Sequence, residues 1–110
     1  MELNEYQNGA MTTRTESTYG SKKIVYPTLG LTGEAGEVAD KVKKVLRDDE
    51  EVFTEEKKRE IALELGDVLW YAAALAKDLG YTLEEVAQMN LDKLASRQKR
   101  DKIHGSGDHR

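Results

Sequence analysis

Apolar residues return every three or four positions along most of the chain, the spacing of helices that bury one face. Four such segments are predicted. The first runs from Leu3 to about Arg14, with Leu3, Tyr6, Gln7, Ala10 and Met11 at helical spacing, and the stretch Ser17 to Lys23 with Gly20 breaks it. The second has Pro27 in its first turn, where a missing N–H costs little, and extends to about Leu46, before the acidic loop Asp48-Asp49-Glu50-Glu51. Thr54 caps the third, and Glu55 and Glu56 in its first turn suit the positive end of the helix dipole. That helix should reach Leu79, because Lys77 suits a last turn and Gly80 supplies a left-handed stop. Thr82 and Glu85 form a capping box for the fourth, which carries Leu83, Val86, Ala87, Leu91, Leu94 and Ala95 on one side and frays between Arg97 and Lys102. The expected architecture is all-α: one four-helix domain over residues 1–103 and a mobile tail over 104–110, which holds two glycines and no apolar anchor.

The second and third helices share a second pattern. At about 100° per residue from Leu31, the residues Ala35, Val38, Val42, Val45 and Leu46 fall between about −40° and +60°, with Glu34 at about −60° and Glu37 at about −120°. Counting likewise from Ile61 gathers Leu65, Val68, Ala72, Leu75, Ala76 and Leu79 in one sector, with Glu64 at about −60° and Asp67 at about −120°. Each helix therefore borders its apolar stripe with an i, i+3 pair of acids, neighbours about 5–6 Å apart at Cβ. If the stripes pack as an antiparallel hairpin, the four acids converge at one edge of the core. Like charges about 4 Å apart repel by about 4 kcal/mol at an effective dielectric of 20, so such a cluster calls for protons or a cation. Oxygen ligands with room left for water suit Mg²⁺ or Mn²⁺. The plainer alternative is that all four acids lie on solvated helix faces.

On the fourth helix Asn90, Lys93 and Arg97 fall among or beside the apolar positions, a spacing that could bind phosphate oxygens or, equally, let two long cations snorkel toward surface acids. Tyr71, one turn after Asp67, is placed to reach a bound ligand or to sit at the core edge.

Composition narrows the function classes. Lys and Arg number 17 against 21 Asp and Glu, giving a net charge of −4, which argues against a nucleic-acid-coating protein. Zero cysteines exclude disulfides, thiolate zinc sites and cysteine nucleophiles. No run is long and apolar enough to span a bilayer, and the N-terminus has neither a basic nor an apolar leader segment, so a cytoplasmic protein without a membrane partner is expected.

The stretch L-T-G-E-A-G-E-V, then E-L-G-D-V-L-W-Y, then N-L-D-K-L-A-S-R resembles the MazG-like all-α nucleoside triphosphate pyrophosphohydrolases, whose signature is E-x-x-E followed after a spacer by E-x-x-D. The likeness extends over about Leu29 to Arg97, and the tail G-S-G-D-H-R is similar to that of small phage and bacterial members. The resemblance implies a helical bundle completed as a homodimer or homotetramer. It implies Mg²⁺ on Glu34, Glu37, Glu64 and Asp67, and nucleotide contacts from Tyr71, Asn90 and Lys93. Many relatives carry a further glutamate immediately before the first motif; here that position is Gly33, so a general-base role resting on that glutamate does not carry over.

The activity expected on these grounds is hydrolysis of a nucleoside triphosphate to monophosphate and pyrophosphate by metal-activated water at the α-phosphorus. Glu34 or Glu37 would accept the proton, Lys93 and Arg97 would hold the β- and γ-phosphates, and the tail would close over the site. A phosphoribosyl-ATP or deoxyuridine-nucleotide hydrolase of the same superfamily is the neighbouring alternative. A non-catalytic helical interaction module, its acids serving solubility alone, is the alternative from another class.

Overall fold

The structure, a computed structural model, describes residues 1–15 and 22–100. It contains α1 (Leu3–Met11), α2 (Val25–Asp48), α3 (Glu55–Asp78) and α4 (Leu83–Lys99), with no strand among the described residues. The expected break around Gly20, the domain end at 103 and the tail 104–110 lie outside them.

Helix ends follow local chemistry. α1 stops at Met11, short of the expected Arg14, because the Thr12 and Thr13 hydroxyls donate to the Gly9 and Ala10 carbonyls at 2.6 and 2.7 Å. α2 begins two residues before Pro27, which is buried in the first turn where its lack of an N–H breaks no helical bond. Ile24 precedes it with φ 68° and ψ −55°, a three-residue turn in which the Val25 N–H donates to the Lys23 carbonyl at 2.7 Å. Thr54 caps α3 by accepting from the Lys57 N–H at 3.2 Å, and Gly80 ends the helix at φ 86°. The Thr82–Glu85 capping box opens α4, with reciprocal bonds of 3.1 and 2.8 Å.

α2 and α3 pack along each other as an antiparallel hairpin, while α1 lies on α3 and α4, and α4 returns against α3. The closed core sits where α1, α3 and α4 meet: Ala73 and Ala74 are fully buried, with Ala76, Ala10 and Leu83 close behind. Gln7 ties this corner together. Its amide donates to the carbonyls of Ala73 (3.1 Å) and Tyr81 (3.3 Å) and accepts from the Leu83 N–H (2.9 Å), satisfying a buried polar group across three helices.

Along the hairpin, coverage is thinner. Val45 is 2 % exposed, and Val38, Val42, Ile61 and Val68 are half-buried, but Leu65 is 58 % and Leu46 50 % exposed. Two helices meet along one seam, which is narrower than an apolar stripe of about 100° or more, so part of each stripe stays open. Met89 and Leu91 on α4 are likewise exposed.

Candidate metal centre and its groove

The hairpin register brings the first acid pair opposite the second. Glu34 of α2 and Glu64 and Asp67 of α3 each offer a carboxylate oxygen, all within 4.8 Å of one another. Glu34 and Glu64 are half-buried and Asp67 is exposed. None of the three takes part in an ion pair among the described residues. The consequence falls on Glu34, whose carboxyl is pushed above its ordinary value by burial and then by the negative charges of Asp67, Glu64 and Glu37. Glu37, expected as a fourth ligand, is exposed and outside the close trio, although its charge is felt at Glu34. An all-oxygen, unpaired, mutually repelling donor set open to solvent fits a hard divalent cation that keeps part of its water shell.

Next to the acids, a cavity of about 340 Å³ is lined by Glu34, Asp67, Trp70 and Tyr71. The Tyr71 ring lies directly over Gly30, one turn before Glu34, so closely that no side-chain carbon fits at that glycine. Trp70 meets Tyr71 edge to face, centroids 5.0 Å apart at 80°, and the Trp70 indole N–H donates to the Ala10 carbonyl (3.1 Å) and the Thr13 hydroxyl (2.9 Å). The end of α1 is thereby fastened to the aromatic side of the site.

Two tyrosines that periodicity did not single out for the site belong to its surroundings. Burial and then the Asp67 charge raise the Tyr6 hydroxyl, which brings α1 to the acid cluster. Burial, then Tyr26, Glu34 and Asp67 raise the Tyr71 hydroxyl, which also hydrogen-bonds Tyr26. The only sequence signal for either was the turn-by-turn series Tyr26, Gly30, Glu34, which marks Tyr26 alone. Of the residues expected on α4, Asn90 is exposed, Lys93 half-buried and Arg97 only 4 % exposed; their helix packs on α1 and α3.

Comparison with known proteins bears on the same stretch. The family model for the MazG nucleotide pyrophosphohydrolase domain matches residues 27–101, which includes every acid of the cluster and the aromatic pair. The "Gene 37 protein" of Mycobacterium phage L5 is 54 % identical over 87 residues, covering 79 % of this chain and 76 % of that protein. No solved structure matches.

Proposed function

The chain belongs to the MazG nucleotide pyrophosphohydrolase domain family, and from that footing we propose that it hydrolyses nucleoside triphosphates, ribo- or deoxyribo-, to the monophosphate and pyrophosphate. The observation that carries this reading is the convergence of Glu34, Glu64 and Asp67 from facing helices, with no ion pair to any of them among the described residues. These three would hold Mg²⁺ or Mn²⁺, with Glu37 beside them. A bound divalent cation supplies charge to neutralise the phosphates and Lewis acidity to activate water. Glu34 or Glu37 accepts the proton of the attacking water. Its oxygen bonds to the α-phosphorus as the bond from that phosphorus to the α,β-bridging oxygen breaks and pyrophosphate departs. Tyr71 borders the cavity and would contact the nucleotide, with Asn90 and Lys93 as further substrate contacts; Arg97, assigned the same role, must be uncovered before it can touch a phosphate.

The test is to measure pyrophosphate against orthophosphate released from a panel of NTPs and dNTPs with Mg²⁺ or Mn²⁺, beside Glu37→Gln and Asp67→Asn. Wild type should release pyrophosphate alone, and both variants should lose about a hundredfold or more of the rate. Orthophosphate as product, or variants as fast as wild type, would overturn the assignment.

We further propose a cytoplasmic homodimer or homotetramer acting on nucleotides rather than nucleic acid. Support for assembly comes from an open groove of about 520 Å³ on α3, lined by Ala62, Leu65, Gly66, Val68, Leu69 and Ala72. No helix among the described residues is long and apolar enough to cross a membrane. Light scattering should return a multiple of 12.4 kDa; a monomer mass at working concentration would refute assembly.

A further inference from the structure

The seam between α2 and α3, which holds two separate cavities, changes chemistry in one direction along its length. Tyr71 covers Gly30 and Glu34 meets Asp67, and continuing that register one turn along sets position 37 across from position 64. Beyond them Lys41, Lys44, Lys57 and Glu60 line one small cavity of about 80 Å³, walled by Val45 and Ile61. Pairing 30 with 71, 34 with 67, 37 with 64, 41 with 60 and 44 with 57 leaves the two numbers of each pair with the same total, as antiparallel helices in fixed register require. On the helical wheel Lys41 falls at about −80°, between Glu34 and Glu37, so it belongs to the acid stripe and not to the outer face. The seam thus runs from aromatic rings, through carboxylates, to ammonium groups.

A nucleoside triphosphate has the same order of chemistry: a flat base, a reacting phosphate that needs a cation, and a polyanionic end. Aromatic faces accept any base by stacking, and ammonium groups hold phosphates as point charges. Lys44 and Lys57 are engaged with Asp40 (2.8 Å) and Glu60 (3.5 Å), whereas no acid among the described residues pairs with half-buried Lys41. Lys41 also stands nearest the acids, about one helical turn or 5.4 Å of rise beyond Glu37.

Resting on the hydrolase reading above, we propose that substrate lies along this seam with one polarity, base toward Trp70 and Tyr71 and β- and γ-phosphates toward Lys41, which holds the departing pyrophosphate. Lys44 and Lys57 form the far wall of that subsite. The competing cations are Lys93 and Arg97, carried on a helix that packs on α1 and α3.

Calorimetric titration of the full-length protein with pyrophosphate and with a deoxynucleoside monophosphate, both with Mg²⁺, tests this for wild type, Lys41→Gln and Lys41→Arg. Lys41→Gln should weaken pyrophosphate binding about tenfold, the scale of one charge-assisted contact, and leave monophosphate binding within about twofold. Lys41→Arg should restore most of the loss. A variant-free readout is acetylation of the wild-type lysines, read by mass spectrometry: Mg²⁺-pyrophosphate should shield Lys41. Unchanged pyrophosphate binding in Lys41→Gln, or a Lys41 as reactive with Mg²⁺-pyrophosphate as without it, overturns the polarity while wild-type pyrophosphate release keeps the hydrolase reading intact. A wild type that neither hydrolyses any nucleoside triphosphate nor binds pyrophosphate overturns both.

Discussion

Asp78 and Glu34 are acids of similar burial class on adjoining helices, and the molecule treats them in opposite ways. Asp78, at the end of α3, has a side chain 3 % exposed and three hydrogen-bonded contacts: both Arg14 guanidinium nitrogens, at 2.8 and 2.9 Å, and the Ile24 N–H at 2.8 Å. Burial works against its charge, but Arg14 and the Ile24 amide together hold its carboxyl below the ordinary value. Glu34, in the groove, is surrounded by three further acids and its carboxyl is pushed the other way. The corner uses charge to close the fold, joining the end of α1 and the start of α2 to α3. The groove holds charge that folding leaves uncompensated, which is what the proposed cation site requires and a site built for stability avoids.

The largest effect that would sharpen or break this contrast is on stability. Asp78→Ala removes an acceptor that the Arg14 guanidinium and the Ile24 N–H share, and removing one partner of a buried ion pair costs about 3–5 kcal/mol. Ile24 adds to the dependence, since a β-branched residue at φ 68° persists only where its surroundings hold it. Urea unfolding of Asp78→Ala should therefore show a strongly lowered midpoint. Glu34→Gln, measured without divalent cation, should unfold at the wild-type midpoint or above it, because it removes a charge that only repels. Equal losses in the two variants would abolish the distinction.

Much of this was legible in one dimension because it is local. Caps at Thr54 and Thr82 and the glycine stop at residue 80 each depend on a few neighbouring residues, and all stand where the pattern puts them. The facing of Glu34 and Asp67 follows once two equal stripes are joined by a short loop. What periodicity could not supply were contacts set by how α1 crosses the hairpin: Tyr6 beside the acids, Trp70 bonded to Ala10 and Thr13, Arg14 bound to Asp78. Nor could the wheel separate Glu37 from Asp67, which share an angle of about −120°, although Asp67 belongs to the close trio and Glu37 does not. The exposed apolar residues have the same origin, since a stripe's width is visible in the sequence and the partner that covers it is not.

A subtler expectation concerns pH, and here the two acids should pull stability in opposite directions. Asp78 has a folded value below its ordinary 3.8, so its contribution is fully present above that pH and is lost as the pH falls through the folded value, a limb confined to strongly acid solution. Glu34 has a folded value above its ordinary 4.5, so between those two values the native state binds more protons than the unfolded chain, and stability declines as the pH rises through that window. Thermal unfolding of wild type without divalent cation should thus give a Tm that falls on both sides of a mildly acid maximum. In Glu34→Gln the decline above the maximum should flatten while the acid limb remains. Millimolar Mg²⁺ should reverse the wild-type decline, because a cation that binds the ionised cluster stabilises the native state increasingly as those carboxyls lose their protons. A neutral-side slope that is the same in wild type and Glu34→Gln, and indifferent to Mg²⁺, would mean that the groove acids are as well compensated as Asp78 and are not held ready for a cation.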